Sequence, residues 1–373
     1  MPPQNQPKTE FKPVRFDPSM ERLEPDENQT ASEIAATLRS IIEKTFADSG
    51  HAFRGVHAKS HALLQGQLEV LPGLDAALAQ GLFSKPATYP VVIRISTNPG
   101  DILPDDVSVP RGLALKVIGI KGESGSVLST STTQDFVMVN GPAFLAPTAK
   151  AFSKNLKLLA KTTDTATGVK EVLSSALRGL EKVVELTGNK SATLISLGGH
   201  PMTHPLGETY FSQTPFRYGD YIAKFSLAPT AAALTKLTNA ALNVKGKPDG
   251  IRQAMLEFFS TQGGAWDLKV QLCTDLDKMP IEDSTVPWSE KLSPHLTVAK
   301  LSVPQQSAWS DQRSSAIDDN MAFSPWHCLD AHQPLGSINR VRKAAYRASS
   351  ELRGLKTGCP MIHEPSKALK FTD

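Results

Sequence analysis

The sequence predicts an α+β fold in which an antiparallel sheet or barrel packs beside helices. Two observations support this class: strand-like segments come early and helical ones follow, and two more strands return before a final helix. This order differs from the strict strand–helix alternation that builds parallel sheets. A third observation is the composition, because 40% hydrophobic and 21% charged residues in a chain of 373 are typical of a globular protein.

The first predicted element is a helix over residues 30–48. Apolar residues recur there at helical spacing, and Thr30 with Glu33 matches a capping box. Residues 1–28 are polar and rich in proline, so we expect an irregular N-terminal arm. Because no Gly/Ser-rich linker divides the remainder, we expect residues 29–373 to form a single domain.

Later elements are predicted from residue type and periodicity. Runs rich in β-branched residues predict strands, whereas apolar residues at intervals of three and four predict helices. The expected strands are residues 89–97, 112–120, 135–141, 265–273 and 295–303. The expected helices are residues 143–163, 168–187, 228–243, 249–262 and 335–353.

Composition and charge argue against several classes of protein. The net charge is only +3 and no dense basic run exists, so we expect no nucleic-acid partner. No apolar run is long enough to span a membrane. Cys273, Cys328 and Cys359 form neither a zinc spacing nor a disulfide framework. The N-terminus lacks the apolar stretch of a secretory signal, so we expect a cytoplasmic protein with reduced thiols.

A polar stripe marks the last predicted helix. Arg342, Tyr346 and Arg353 fall within about 40° of one another on one helical face. A guanidinium four residues before a phenol can hydrogen-bond its oxygen and favour the anion. Tyrosinate is a known ligand of haem iron, whereas three polar residues on a surface helix are the alternative.

A second candidate group lies in FRGVHAKSH, residues 53–61. Arg54 precedes His57 by three residues, and His57 precedes His61 by four. On a helix the two histidines could hold a metal, but no HExxH glutamate accompanies them and a strand fits equally well. Histidines that serve only the fold are the alternative.

Two predicted strands carry further polar candidates. Arg94 and Ser96 alternate with Ile93 and Ile95, which gives one polar face. A solvent-exposed face of an amphipathic strand is the alternative. Asn140 follows a hydrophobic strand and precedes Gly-Pro, which is usually turn chemistry.

Together these strings resemble the haem catalase family, in particular its shorter catalase-related members. The family's R-x-x-H-A-K, R-F-S-T, P-R-G-x-A-x-K, N-x-P-x-F and R-x-x-x-Y strings correspond, in the family's order, to residues 54–59, 94–97, 110–116, 140–144 and 342–346. The Phe of the second string is Ile95 here. The resemblance covers most of residues 30–355. It implies a catalase-like antiparallel β-barrel core with surrounding helices and a buried haem.

The resemblance implies catalytic roles for three residues. His57 would carry a proton from one peroxide oxygen to the other. Asn140 would donate a hydrogen bond to the bound peroxide. Ser96 would hydrogen-bond the imidazole and fix its tautomer.

The resemblance also implies a haem b cofactor, because the chain has no CxxCH for covalent attachment. Tyr346 would be the axial iron ligand, and Arg342 would hold it as the phenolate. Three arginines would meet the propionates and two apolar residues would flank the macrocycle: Arg54, Arg94, Arg353, Val56 and Phe152.

The implied function is reduction or dismutation of hydroperoxides, organic ones and hydrogen peroxide, through an iron–oxo intermediate with an unknown electron donor. Lipid hydroperoxides near membranes are a further candidate substrate. The main alternative is rearrangement or lysis of fatty-acid hydroperoxides, as in catalase-related allene oxide synthases. Val56 stands where those relatives have Thr, which favours peroxidase chemistry.

Further alternatives are a haem-binding protein without catalysis and a metalloprotein that uses His57 and His61. The chain lacks the length for the wrapping segment and extra C-terminal helices of full-size catalases. We therefore expect a homo-oligomer, with a dimer favoured over a tetramer.

Overall fold

The structure of this chain is a computed structural model that describes residues 12–120, 131–162 and 201–365, together with 367, 369 and 371. In this part of the chain, nine antiparallel strands form one sheet in the order β5-β4-β3-β2-β1-β9-β8-β7-β6. Pairing of β5 with β7 closes the other strands into a barrel, and β6 forms a hairpin with β7. The strands are β1 (Lys59–Val70), β2 (Thr88–Thr97), β3 (Arg111–Ile118), β4 (Thr133–Val139), β5 (Tyr210–Phe211), β6 (Phe216–Tyr218), β7 (Tyr221–Pro229), β8 (Gly264–Leu272) and β9 (Leu296–Val303).

Helices pack on the outside of this barrel. The α-helices are α1 (Glu27–Ser49), α2 (Ala149–Thr162), α3 (Ala232–Thr235), α4 (Gly250–Thr261), α5 (Asp311–Arg313) and α6 (Ser337–Thr357). Short 3₁₀ turns occupy Pro18–Met20, Gly81–Phe83, Pro205–Gly207 and Asp330–His332, and Ser314–Asp319 forms a π-helix. No helix among the described residues is both long and apolar enough to cross a membrane.

Alternation along the strands separates two buried layers. Val91, Ile93 and Ile95 of β2 join the apolar cluster of the barrel, whereas Arg94 and Ser96 face the other way. Both polar side chains are nevertheless 3% exposed, because elements outside the barrel cover them. The interpretation of this face as solvent-exposed is therefore wrong, and a buried polar layer lies between the barrel and its surroundings.

A second apolar cluster fixes the helices that border this layer. Ile34 and Leu38 of α1 pack with Leu156 of α2 and with Val341 and Ala345 of α6. These residues recur at helical intervals on each element, so each helix buries one stripe. The cluster therefore holds α6, and the polar stripe predicted on it, against α1 and α2.

The predicted order of elements is confirmed in most places. The five predicted strands correspond to β2, β3, β4, β8 and β9, and the last two predicted helices correspond to α4 and α6. The remaining strands β1, β5, β6 and β7 were not among the predicted ones: the β1 run mixes apolar residues with glutamine and glycine, and β5 and β6 are only two and three residues long. The predicted helix 168–187 lies outside the described residues.

Three helix boundaries differ from prediction. The first helix begins at Glu27, so Thr30 lies inside it rather than at its cap. Glu33 binds the side chains of Gln29 and Lys157 instead of the helix start. The helix expected from residue 143 begins at Ala149, and the one expected over 228–243 is reduced to a single turn because β7 runs to Pro229.

Candidate functional site

The loop before β1, the end of β2 and the start of β3 bring His57, Ser96 and Gly112 together. His57 has a left-handed backbone with φ 52°, and its Nδ1 lies 3.5 Å from the Ser96 hydroxyl, the long limit of a hydrogen bond. The ring lies against the backbone of Gly112, where an added Cβ would come within 2.6 Å of Nδ1. Glycine at this position therefore makes room for the imidazole.

The surroundings of His57 keep its ring neutral. Burial chiefly, together with the positive charges of Arg94 and Arg342, lowers the pKa of His57 to about 3. The imidazole is thus uncharged at neutral pH. A neutral ring has one nitrogen able to accept a proton, which is the state that a general base requires.

On α6, Arg342 and Tyr346 form the contact that their spacing predicts. Arg342 Nη2 donates to Tyr346 Oη at 3.0 Å, and Nη1 donates to the amide oxygen of Asn339 at 3.1 Å. Asn339 is fully buried and held in turn by the carbonyl oxygens of Pro215 and Leu335. The guanidinium is therefore fixed at both ends and aimed at the phenol oxygen.

The third residue of the predicted stripe, Arg353, belongs to a different group. Arg54, Arg94 and Arg353 converge on the π-helical residue Asp318. Arg94 Nε lies 2.6 Å from the Asp318 carboxylate, and the Asp318 carbonyl oxygen accepts from Arg54 at 3.0 Å and from Arg353 at 2.6 Å. This guanidinium cluster joins residues that are far apart in sequence.

In the guanidinium cluster, burial and repulsion between the arginines disfavour the charged forms. Burial first, then repulsion by Arg94, lowers the pKa of Arg353 to about 10. Burial and the charges of Arg353 and Arg94 also place the pKa of Arg54 well below its ordinary value. Arg353 Nε is buried without a hydrogen-bond partner among the described residues. The cluster thus has both charge and donor capacity for a further anion.

Asn140 follows β4 and is held by a network that the sequence did not reveal. Its backbone N–H donates to the Arg111 carbonyl at 3.1 Å, and its Oδ1 accepts from the Arg111 N–H at 2.9 Å. Its Nδ2 donates to Glu208 Oε2 at 2.5 Å. Glu208 Oε1 in turn accepts from Arg111 Nη1 at 2.5 Å.

Val56 and Phe152 both border the helical cluster. Each packs against the apolar residues shared by α1, α2 and α6, as does Tyr346. The Phe152 ring meets Phe144 edge to face, with 5.1 Å between centroids. The structure therefore brings the predicted apolar neighbours to the same region as the predicted axial tyrosine.

A pocket of about 420 Å³ adjoins the turn after Asn140. Pro142, Gln213 and Trp288 line it, together with Lys224, whose ammonium lies 4.8 Å from the Trp288 ring centroid. Burial lowers the pKa of Lys224 to about 8. The described lining of this pocket includes none of the predicted site residues.

The metal site considered for His57 and His61 is not supported. His61 is buried within β1, and its Nε2 lies 2.9 Å from the Thr97 hydroxyl. The described ranges contain no cluster of three or more histidine, cysteine or acidic residues that could hold a metal ion. His61 therefore serves the fold.

Sequence reasoning missed Asp318 and Glu208, whose carboxylates hold Arg94 and Asn140. Each is joined to its partner by tertiary structure only: Asp318 lies 224 residues from Arg94, and Glu208 lies 68 residues from Asn140. No local spacing could have indicated either contact.

Comparisons with known proteins bear on the fold. No protein-family model matches the chain, and neither does any curated protein. Solved structures do match: a fungal catalase has a TM-score of 0.57 at 19% identity over 95% of this chain and 67% of its own. A bacterial catalase has a TM-score of 0.55 at 16% identity, and the match covers 94% of this chain and 64% of that catalase. Catalase A from Saccharomyces cerevisiae has a TM-score of 0.56 at 18% identity, and the match covers 94% of this chain and 68% of that catalase.

The chain has a catalase-like fold. Its closed antiparallel barrel and outer helices match these three catalases over nearly all of its length. The catalase-like chain spans about two thirds of the length of each of them. The predicted α+β class and barrel are therefore confirmed.

Proposed function

We propose that this chain binds haem b and uses it to reduce or dismute hydroperoxides, both organic ones and hydrogen peroxide. The observation that carries the proposal is the hydrogen bond from Arg342 to the Tyr346 oxygen, on a helix that packs with α1 and α2 in a chain with a catalase-like fold. A phenol fixed by a guanidinium is suited to bind iron as the anion.

The residues of the site fit a haem. Arg54, Arg94 and Arg353 face the carboxylates of Asp318 and Asp319, so positive charge exceeds negative charge in this cluster of described residues. The unpartnered Arg353 Nε adds a buried donor that a propionate would satisfy. Tyr346 would hold the iron, and Val56 with Phe152 would contact the macrocycle.

The chain's own residues supply the proton chemistry. Bound haem would supply a redox-active iron that takes up the peroxide. His57 would accept a proton at its free ring nitrogen and return it to the departing oxygen, while Ser96 faces the opposite nitrogen. Asn140 would orient the peroxide by hydrogen bonding.

The redox balance defines the co-substrate. Reducing a hydroperoxide to an alcohol and water consumes an electron pair and a pair of protons. In the peroxidase reaction an organic donor would supply the electrons, whereas in dismutation a second molecule of hydrogen peroxide would do so.

The test is reaction of the haem-loaded protein with an alkyl hydroperoxide, with and without a phenolic electron donor. We expect donor-dependent formation of the alcohol, and a loss of about 100-fold or more in His57→Ala at unchanged haem content. His363→Ala is the matched control, because His363 lies in the C-terminal segment, hydrogen-bonded to His327. A rearranged or cleaved product formed without any donor would support the lyase or allene oxide synthase alternative and contradict the proposal.

A further inference from the structure

We propose that Glu208, held by Arg111, is a positioning residue that fixes the orientation of the Asn140 side-chain amide. This inference rests on the proposed function, in which Asn140 orients the peroxide. It adds a residue to which neither the sequence strings nor the fold comparison points.

The Asn140 amide is held at both ends by groups of opposite kind. A backbone N–H of Arg111 occupies its oxygen at 2.9 Å, and a carboxylate oxygen of Glu208 occupies its nitrogen at 2.5 Å. A flip would place donor against donor at one end and amide oxygen against carboxylate at the other. One orientation of the amide is therefore selected.

Glu208 is itself fixed in place. Its Oε1 accepts from Arg111 Nη1 and from the Thr203 hydroxyl, each at 2.5 Å, which leaves Oε2 for Asn140. Arg111 is 1% exposed, so this ion pair is shielded from solvent. The two carboxylate oxygens thus perform separate tasks.

The start of β3 contacts both the Asn140 side chain and the His57 ring. Arg111 holds Asn140, and the next residue, Gly112, lies against the His57 ring. Gln213 fixes the turn beyond Asn140 by donating to the carbonyl oxygens of Gly141 and Ala143. The backbone around Asn140 is therefore set by Arg111 and Gln213, whereas the nitrogen end of its amide is set by Glu208.

Glu208→Gln tests the orienting contact, because glutamine cannot accept all the hydrogen bonds that Glu208 accepts. Three donors face this side chain, from Arg111, Thr203 and Asn140, and a glutamine has only one oxygen to accept them. If that oxygen faces Arg111, the glutamine nitrogen meets the Asn140 nitrogen and favours a flipped amide. The substitution therefore removes the orienting contact at nearly constant volume.

The experiment is a double-mutant cycle on the haem-loaded protein with E208Q, N140A and the double variant. We expect E208Q to slow the reaction with hydroperoxide about 10- to 100-fold, but by less than about threefold in the N140A background. Fluoride affinity of the ferric protein, read by absorbance, is the second measurement. We expect it to fall in E208Q and to be insensitive to E208Q once Asn140 is absent.

Two controls separate positioning from general destabilisation. Asp105→Asn removes another buried carboxylate, one that pairs with Lys59 instead. We expect it to lower thermal stability with less than about a twofold effect on rate. Equal losses from E208Q with and without Asn140, or no loss at all, would overturn the inference.

The haem-free protein gives a test that is independent of the proposed function. The side-chain amide signal of Asn140, identified by its loss in N140A, should show slow hydrogen exchange that E208Q abolishes. An Asn140 signal unchanged by E208Q would overturn the inference even if the enzyme were active. If E208Q does not fold, Glu208→Asp, which keeps the charge but shortens the reach, takes its place in both measurements. Failure of the wild-type protein to bind haem would instead refute the proposed function.

Discussion

The state of His57 makes a quantitative prediction about pH. Burial, reinforced by Arg94 and Arg342, holds the pKa of His57 at about 3. The fraction of protonated imidazole at pH 5 is then about 1%, whereas a histidine with the ordinary pKa of about 6.5 would be about 97% protonated. Since only the neutral ring can accept the peroxide proton, the rate constant should not fall as the pH is lowered from 8 to 5.

The assay is stopped-flow measurement of the bimolecular rate constant of the haem-loaded protein with hydroperoxide. Pseudo-first-order conditions and constant ionic strength keep screening of Arg94 and Arg342 unchanged. We expect less than about a twofold change over this range, against about a 30-fold loss for an ordinary histidine. His57→Gln has no titrating group at this position, so its pH profile shows the contribution of all other groups to the rate constant. An inflection between pH 6 and 7 that is absent from His57→Gln would refute the assignment.

Two further predictions address neighbouring groups. Ser96→Ala should slow the same reaction about three- to tenfold at unchanged haem content, because the contact with the His57 ring is long and worth about 1 kcal/mol; an unchanged rate would remove Ser96 from the mechanism. Asp135→Asn should lower the free energy of unfolding by about 3–5 kcal/mol, measured by urea denaturation, since it leaves the fully buried Lys116 ammonium without its counter-charge. A loss below about 1 kcal/mol would show that Lys116 is neutral or otherwise compensated, and Lys116→Met in the same background should recover part of the stability.

Local spacing was sufficient wherever one element carries the whole contact. Arg342 and Tyr346 are one helical turn apart, so their hydrogen bond follows from the periodicity of α6 alone. The polar face of β2 likewise follows from strand alternation, which sets Arg94 and Ser96 on one side. Whether that face is exposed to solvent or buried depends on which elements cover it. The sequence could not indicate those elements.

The carboxylates of the site illustrate the limit of local reasoning. Glu208 lies in a segment without periodicity, directly after a 3₁₀ turn, and reaches Asn140 only because β5 closes the barrel beside β4. Asp318 sits in a π-helix that no propensity rule predicts. Its partners come from the loop before β1, from β2 and from α6. Long-range pairings of this kind are set by topology rather than by residue pattern.

The central claim, that Tyr346 binds haem iron, is tested most directly by titrating the haem-free protein with haem and recording the absorption spectrum. We expect the wild-type protein and the control Tyr89→Phe, which alters a half-buried tyrosine of β2, to give the same high-spin ferric Soret band with one equivalent. We expect Tyr346→Phe to lose this spectrum or to bind haem at least about tenfold more weakly. A Tyr346→Phe protein with the wild-type spectrum and affinity would contradict the account.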